Sequence, residues 1–290
     1  MSRLGIFVDR KTLSSAGQLN ALIRCRDAAE SMDHSVEFIF PGDIKKIPQM
    51  DALFIRARTD PMNVTYVASR TASSSGIPVI DDPSSIQICS DKINMYCHLK
   101  KHGVAIPPTA FLSKKEMSPS AIRDLFERMG SPLVLKEPST SFSLRVEKVR
   151  DASEFQKVAR RFIRMSDWIV VQGFVESRYD WRIGVLDGEM IYACMYTIPS
   201  DTFKIQDSVN GHVVYCDVES IPPGDVPGEV IRLGIDAANA IGDGLYGVDI
   251  KNSNGDACVI EVNDNPSLEG GEDSLYPQVY EKIISYLLER

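Results

Sequence analysis

The stretch from Gly247 to Pro266 reads GVDIKNSNGDACVIEVNDNP, and it decides how we interpret the whole chain. Two short apolar runs flank a polar segment at 252–256, a pattern that predicts two strands joined by a hairpin turn. Each run contains one carboxylate, Asp249 in the first and Glu261 in the second. Because a buried carboxylate is costly unless a cation or hydrogen bonds compensate for it, both positions need a partner.

The register of this hairpin determines whether the two carboxylates can act together. If the connection around Gly255 has an odd length, Asp249 lies across from Glu261. Asn263 then follows on the same face by the two-residue period of a strand. Three oxygen donors suit magnesium, with nucleotide phosphates and water completing its shell, so we predict a metal site here. An even length would instead split the carboxylates between the two faces, as in an ordinary half-exposed hairpin.

The first eighty residues alternate between predicted strands and helices. The strands are 4–9, 36–40, 52–56 and 77–80, and the helices are 17–31 and 62–75. This alternation implies a parallel sheet covered by helices, and such sheets bind ligands at the carboxyl ends of their strands. Arg56 and Arg58 end the third strand and could hold an anionic substrate. A pair of surface arginines is the equally weighted alternative.

The rest of the chain divides into a lid-like segment and a β-rich segment. Strands are predicted at 109–112, 133–136, 145–149, 168–171, 181–186, 190–196, 244–250 and 257–262, and helices at 119–129, 152–165, 226–241 and 276–288. A further helix is predicted to start near Ser90, and the polar stretch 198–212 is predicted to be a mobile loop. We expect an α/β protein with an α+β lid, in three parts at 1–85, 86–175 and 176–290, with a turn at Asp81-Asp82-Pro83 near the first boundary.

Several short motifs, in this order, resemble the ATP-grasp superfamily, in particular the RimK-like (glutathione synthetase-type) branch of carboxylate–amine ligases. The motifs are DK at 91–92, PLVLK at 132–136, VVQGF at 170–174, DWR at 180–182, GVDI at 247–250 and IEVNDNPSLEG at 260–270. The resemblance covers about residues 85 to 275. It implies an ATP-grasp fold preceded by a parallel βαβ domain, which matches the predicted first part.

The resemblance also implies roles for individual residues. Asp249, Glu261 and Asn263 would bind two magnesium ions, or manganese, between the phosphates of ATP. Other ATP contacts are expected from Lys92, Lys136, Gln172, Gly173, Phe174, Asp180 and Arg182, and a substrate contact from Asn265. Lysine serves as a point charge for phosphate, which explains the residue type at the first two positions.

The reaction that the resemblance implies is the ADP-forming ligation of a carboxylate to an amine. The carboxylate takes the γ-phosphoryl group of ATP, and an amine, expected to be an amino acid such as glutamate, then displaces phosphate. The carboxylate could belong to a small molecule or to the C-terminus of a peptide or protein. The lid loop departs from the glycine-rich pattern, but Ser141 and Ser143 could still cradle phosphate. The catalytic cation is expected to be Lys204 or Arg182.

Two other readings keep the same fold. An ATP-dependent kinase would phosphorylate a small molecule without forming an amide, and amine-dependent phosphate release would separate it from a ligase. A non-catalytic nucleotide-binding or scaffold protein is slightly favoured by the serine-rich loop and by the lack of a clear match to the usual arginine. The metal ligands and both lysines argue against it.

Composition narrows the classes of partner. The net charge of −8 gives no electrostatic attraction to nucleic acid, and no apolar run approaches the roughly 20 residues of a membrane span. The N-terminus reads as a buried strand rather than a signal peptide, so we expect a cytoplasmic protein with six reduced cysteines. His98 and His102 lack the zinc-protease pattern. A homo-oligomer is plausible from the family alone.

Overall fold

The structure is a computed structural model that describes residues 1–140, 144–198, 206–209, 212–253 and 255–289. It contains three main sheets, which follow one another along the chain, and a separate two-stranded hairpin. In the described residues, no helix is both long enough and apolar enough to cross a membrane.

The N-terminal sheet is parallel and has the strand order β2-β1-β3-β4. Its strands are β1 (Arg3–Phe7), β2 (Ser35–Ile39), β3 (Ala52–Ile55) and β4 (Val79–Ile80), and its helices are α1 (Arg10–Leu13), α2 (Ala16–Ser31) and α3 (Val64–Ser74). A 3₁₀ segment at Pro41–Gln49 follows β2. Strands β1 and β3 are almost fully buried, as expected for a parallel sheet covered on both faces. The predicted parallel sheet is therefore confirmed.

Two consecutive helices, α4 (Pro83–Cys89) and α5 (Lys92–Lys101), connect this sheet to the rest of the protein. The first of them was not predicted. Asp82 caps α4 by accepting hydrogen bonds from the amides of Ser84 and Ser85, and Pro83 occupies the first helical position, where its missing N–H costs nothing. The helix that was predicted to start near Ser90 begins two residues later, at Lys92. Asp91 caps α5, while Ser90 ends α4.

The lid is a four-stranded antiparallel sheet with the order β5-β8-β6-β7 and two helices packed on one face. Its elements are β5 (Thr109–Ser113), α6 (Pro119–Met129), β6 (Leu133–Lys136), β7 (Val146–Val149), α7 (Ala152–Phe162) and β8 (Trp168–Gly173), with a 3₁₀ turn at Lys114–Glu116. Apolar side chains of α6 and α7, including Leu125, Phe155 and Phe162, form its core with the strands. The α+β lid expected from the sequence is present.

The C-terminal sheet has five strands in the order β13-β10-β9-β14-β15. The elements of this region are β9 (Tyr179–Leu186), β10 (Glu189–Thr197), β11 (Gln206–Val209), β12 (His212–Tyr215), β13 (Asp217–Ser220), α8 (Gly228–Ile241), β14 (Leu245–Ser253), β15 (Asp256–Asn263) and α9 (Val279–Leu288), with a 3₁₀ turn at Pro223–Asp225. Asp187 and Gly188 both have positive φ, at 52° and 73°, as a type I′ hairpin turn between β9 and β10 requires.

The stretch 198–212 was predicted to be one mobile loop, and that prediction is wrong for part of it. Residues 206–209 pair with residues 212–215 as antiparallel strands β11 and β12. Strand β13 follows at 217–220 and extends the sheet at β10. The sequence QDSV of β11 has no apolar alternation that would have predicted a strand. Most of the remaining stretch lies outside the described residues.

Packing links the parts of the chain more closely than their order suggests. Helix α5 and helix α8 pack on the C-terminal sheet in one core that contains Met95, Tyr96, Ile183 and Val248. Helix α9 instead returns to the N-terminal domain and packs against α2 and β3. The boundaries near 85 and 175 stay a prediction, but the connecting helices belong by packing to the C-terminal core.

Candidate active site

A cleft lies between the lid sheet and the C-terminal sheet. Its walls come from α5, from β6 and the segment after β8 in the lid, and from β9, β14 and β15 in the C-terminal sheet. Eight of the residues predicted to contact ATP or metal line it, namely Lys92, Lys136, Gln172, Gly173, Phe174, Asp180, Asp249 and Glu261.

The hairpin of β14 and β15 brings the two carboxylates to one face, although not by the predicted route. Ser253 pairs with Asp256, so the connection has two residues and is even, which contradicts the expected odd length. This register alone would place Ile260 opposite Asp249 and turn Glu261 to the other face.

A β-bulge restores the face that the metal site requires. Ile250 pairs with Val259, but the next pair is Asp249 with Glu261, so Ile260 is the extra residue on β15. Beyond the bulge, Asn263 pairs with Gly247 and therefore shares the face of the carboxylates. The predicted grouping of Asp249, Glu261 and Asn263 is present, and a bulge rather than the turn produces it.

Asp249 is buried and held by a cation and an amide. Arg182, directly across from it on β9, makes a two-point ion pair with its carboxylate, with 3.0 Å between Nη2 and Oδ2 at one contact. Asn263 donates from Nδ2 to the same carboxylate at 3.2 Å. Burial raises the pKa of Asp249, and Arg182 opposes that rise. A side chain at Gly247 would collide with Arg182 and Pro266, because an added Cβ would lie only 2.7 Å from the Pro266 ring.

Glu261 has Lys92 as its cationic partner. The Lys92 ammonium lies 3.1 Å from Glu261 Oε1 and also donates to the carbonyl oxygen of Thr140 in the lid loop. The Lys92 amide donates to the Pro138 carbonyl oxygen at 3.0 Å, so the start of α5 is tied to the lid twice. Burial would raise the pKa of Glu261, but Lys92 and Lys136 outweigh it and hold that pKa below its ordinary value.

Lys136 ends strand β6 and points into the cleft without a carboxylate in contact among the described residues. Its ammonium donates to the hydroxyl of Tyr96 at 2.8 Å and lies 5.4 Å from the centre of that ring. Burial lowers the pKa of Lys136 to about 8, and the positive charges of Lys92 and Lys251 add to the shift. A phosphate would supply the negative charge that this ammonium lacks.

The end of β8 and the residue after it line the cleft with three side chains that were predicted to contact ATP. Gln172 is buried, and its side-chain amide donates a hydrogen bond to the hydroxyl of Thr109 at 2.9 Å. The amides of Gly173 and Phe174 already donate to the carbonyl oxygens of Pro108 and Pro132. Any base contact at these two residues therefore falls to their carbonyl oxygens or to the Phe174 ring.

Asp180 forms a buried ion pair with Lys251, two positions beyond Asp249 on the same face of β14. Burial raises the pKa of Asp180, and the charge of Lys251 opposes that rise. Lys251 was not among the predicted site residues. Its spacing from Asp249 was the available signal, because alternate residues of a strand share a face. Tyr96 was missed too, although it lies one helical turn beyond Lys92.

The predicted substrate residues lie at the junction of the N-terminal sheet and the segment after β15. Arg56 donates to Asn265 Oδ1 at 2.6 Å and to the Pro266 carbonyl oxygen at 3.1 Å, and it lies 3.6 Å from Glu269. Asn265 donates back to the carbonyl oxygen of Ala57 at 2.7 Å. Arg58, in contrast, has an exposed side chain. Arg56 is thus engaged by the protein, whereas Arg58 faces solvent.

Three predicted site residues, Ser141, Ser143 and Lys204, lie outside the described residues. For the rest, the chemistry of the donor set fits a hard divalent cation. Two carboxylates and one amide on one face offer the oxygen ligands that magnesium prefers, next to lysines suited to phosphate. The described residues contain no group of three or more His, Cys, Asp or Glu side chains that could hold a metal, so phosphate oxygens and water would have to complete the shell.

Residues 89–287 match the profile of the RimK-like ATP-grasp domain. The chain belongs to the RimK-like ATP-grasp family. This match confirms the family that the order of short motifs suggested, and it covers both the lid and the hairpin with the carboxylates. Membership implies the use of ATP and of a divalent cation.

The ATP-grasp assignment agrees with comparisons over the whole chain. The chain is 28% identical to a protein of Shewanella denitrificans named probable alpha-L-glutamate ligase 1, over 95% of each chain. The structure resembles D-alanine–D-alanine ligase of Bacillus anthracis with a TM-score of 0.74 and 18% identity, covering 100% of this chain and 97% of the other. It also resembles a RimK-domain ATP-grasp protein of Sphaerobacter thermophilus, with a TM-score of 0.72 and 16% identity, covering 99% of this chain and 100% of the other.

The structural likeness confirms the ATP-grasp fold, including the N-terminal sheet, which the family profile does not reach. Together with the family match, it confirms the expected enzyme class, an ATP-grasp carboxylate–amine ligase.

Proposed function

We propose that this ATP-grasp ligase activates an acceptor carboxylate as an acyl-phosphate and couples it to the α-amine of an amino acid, with glutamate as the first candidate. The observation that carries the proposal is the shared face of Asp249, Glu261 and Asn263, whose two carboxylates line one cleft with Lys92 and Lys136. The name of the Shewanella relative supports glutamate as the amine.

The first step is the transfer of the γ-phosphoryl group. An oxygen of the acceptor carboxylate attacks the γ-phosphorus, the bond from phosphorus to the bridging oxygen breaks, and ADP leaves. Anionic oxygens approach one another in this step, so cations must offset their repulsion. Lys92 and Lys136 would contact the phosphates, and Asp180 would lie near the nucleotide. Gln172, Gly173 and Phe174 would contact the base.

The second step forms the amide. The amine attacks the acyl carbon of the acyl-phosphate, and the tetrahedral intermediate expels phosphate as the amine loses a proton. Arg182 is our candidate for stabilising the oxyanion, because its guanidinium lies beside Asp249, one of the proposed metal ligands. Lys204 stays a second predicted cation, and Ser141 and Ser143 stay predicted phosphate contacts.

Asp249, Glu261 and Asn263 would hold magnesium, in two ions by our proposal, with manganese as a substitute. The bound cation would neutralise charge on the phosphate oxygens during the transfer. Before it binds, Arg182 and Lys92 neutralise Asp249 and Glu261. Each pair opposes the effect of burial on the pKa of its carboxylate, and both carboxylates line the cleft, where they could act as ligands.

The acceptor would enter from the side of the N-terminal sheet. Arg58 could attract an anionic acceptor, and Asn265 follows directly on the metal strand. The acceptor could be a small carboxylate or a peptide or protein C-terminus. We further propose a cytoplasmic location, because ATP is a substrate. The three parts at 1–85, 86–175 and 176–290 stay our proposed domains.

The test is ADP formation from ATP and magnesium, with each amino acid added alone to a panel of small carboxylates and acidic peptides. We expect glutamate-dependent ADP release, and a condensation product by mass spectrometry. ADP release together with a phosphorylated product, independent of any amine, would make the protein a kinase. Nucleotide binding without turnover of any pair would favour a non-catalytic protein.

A further inference from the structure

Helix α5 presents three side chains to the strand that carries the metal-facing carboxylate. Lys92, Met95 and Tyr96 have the i, i+3, i+4 spacing of one helix face. Their partners on β15 are, in the same order, the side chain of Glu261, the amide of Val262 at 3.2 Å and the carbonyl oxygen of Ile260 at 2.6 Å. One turn of helix therefore contacts three consecutive residues of the strand.

Tyr96 is the least expected member of this group, because its hydroxyl connects the helix to the lid as well. It is 1% exposed. The hydroxyl oxygen accepts a hydrogen bond from Lys136 at 2.8 Å, while its hydrogen is donated to Ile260. Gln172 Oε1 lies farther away, at 3.2 Å, and competes for the same hydrogen. Because donation by an ammonium polarises the hydroxyl, the bond to Ile260 is strengthened.

The bulge at Ile260 gives the Tyr96 hydroxyl its importance. An extra residue in a strand is left out of the ladder, and a buried carbonyl without a partner is costly. Tyr96 supplies that partner. The bulge in turn places Asp249 opposite Glu261, since the two-residue connection alone would not. The hydroxyl therefore supports the register on which the grouping of the carboxylates depends.

We propose that Tyr96 is a positioning residue that links the lid lysine Lys136 to the bulge at Ile260, and so fixes the phosphate-binding ammonium relative to the metal-facing carboxylates. The proposal rests on the proposed function, because it assigns phosphate to Lys136 and metal to Asp249 and Glu261. Tyr96 acts through these groups and would touch neither the reacting carboxylate nor the amine.

The experiment compares Tyr96→Phe with Tyr246→Phe. Both tyrosines are 1% exposed in the same core, and each hydroxyl makes a short hydrogen bond, which for Tyr246 joins Ser85 at 2.6 Å. Tyr246 does not line the cleft. The two substitutions therefore remove equivalent buried hydroxyls, and only the first is connected to Lys136. The measurements are the affinity for MgADP by calorimetry, the magnesium concentration at half-maximal activity, the KM for ATP, kcat and the Tm.

We expect Tyr96→Phe to weaken MgADP binding and raise the KM for ATP by about 5- to 30-fold, the scale of one charge-assisted hydrogen bond. The magnesium requirement should rise by several-fold, and kcat should fall less than KM rises. Tyr246→Phe should lower the Tm similarly and leave the nucleotide and magnesium constants within about twofold. If both variants lose Tm alike and neither changes those constants, the hydroxyl is merely structural and the proposal is wrong.

A double-mutant cycle with Lys136→Met tests the link itself. If Tyr96 acts through Lys136, the loss of nucleotide affinity in the double variant is smaller than the product of the two single losses. If the loss in the double variant equals the product of the two single losses, the link is overturned. This holds even if Tyr96→Phe folds poorly, because the effect of Lys136→Met is then compared between Tyr96 and Phe at position 96. MgADP binding does not require ligation. A wild-type protein that binds MgADP but joins no substrates would weaken the proposed function while leaving the positioning role measurable, and one that binds no nucleotide would overturn both.

Discussion

Lys92 and Lys136 occupy the same cleft in opposite electrostatic surroundings. Lys92 begins helix α5 on the metal side, where Glu261 lies 3.1 Å away and a lid carbonyl oxygen accepts a second bond. Lys136 ends a lid strand, and its partner is the neutral hydroxyl of Tyr96. Both lysines are buried, at 5% and 6% exposure, so the difference lies in the partners and not in the solvent.

The comparison shows how the free cleft is prepared for an anionic ligand. On the metal side, basic side chains and carboxylates already neutralise each other, and a bound metal ion would replace the basic side chains as the partner of the carboxylates. On the lid side, no carboxylate of the described residues contacts the Lys136 ammonium, and burial lowers its pKa to about 8. We infer that Lys136 gains most from phosphate, whereas Lys92 divides its interactions between protein and ligand.

Replacing the carboxylate on the metal side should have the largest effect. Glu261→Gln keeps the size and a hydrogen-bonding capacity but removes the charge that pairs with Lys92 and would bind metal. We expect turnover to fall by at least about 100-fold, because charge stabilisation of the transferring phosphoryl group is lost. Circular dichroism should show an intact fold. Turnover equal to that of the wild type would show that the metal assignment is wrong.

On the lid side, Lys136→Ala should weaken nucleotide binding by about 10- to 100-fold, more than any surface lysine. The matched control is Lys157→Ala, in an exposed position on lid helix α7. Calorimetry with MgADP measures both. If the two variants bind nucleotide equally well, Lys136 does not contact phosphate, and the contrast between the two lysines has no bearing on ATP.

The contrast also shows what sequence could predict. The helix at 119–129 and the strand at 133–136 have the predicted bounds, because strong periodicity and clear end signals agree there. Helix α4 was missed because Asp82 and Pro83 are typical of turns as well as of helix starts. Only the contacts of the following residues with the C-terminal core decide between these structures.

At the site, residue types were predictable and their arrangement was not. Two carboxylates in apolar runs and a lysine at the end of a strand could be recognised as candidate site residues, because burying a charged side chain is costly unless it has a partner. The bulge at Ile260 has no signal in the sequence, since it depends on a hydroxyl from a helix about 160 residues earlier. Long-range partners such as Tyr96 and Lys251 follow from tertiary packing, which local patterns do not encode.

The pKa of Lys136 makes nucleotide affinity depend on pH. Its pKa in the free protein, about 8, lies below the ordinary value of 10.5, so the ammonium loses its proton above pH 8. Phosphate favours the protonated form, so affinity should be fully present below pH 8 and fall by about tenfold per pH unit above it. Calorimetry of MgADP binding at pH 7 and pH 9 checks this. The Lys136→Ala variant should lose the slope, and a persisting slope would assign it to another group.

The smallest effects should appear in the stability of the ligand-free protein, and they should have opposite signs. Lys92→Met leaves the half-buried Glu261 without its ammonium partner, so we expect the free energy of unfolding to fall by about 1 kcal/mol. Lys136→Met removes a buried charge whose hydroxyl partner keeps its bond to Ile260, so stability at pH 7 should rise by about 1 kcal/mol.

Because the pKa of Lys136 is lowered on folding, the unfolded state binds more protons between about pH 8 and 10.5. Wild-type stability should therefore gain from Lys136 as pH rises through that window, and Lys136→Met should lose this gain. Urea titrations at pH 7 and pH 9 measure both shifts, and equal losses in the two variants would mean that the lysines have equivalent partners after all.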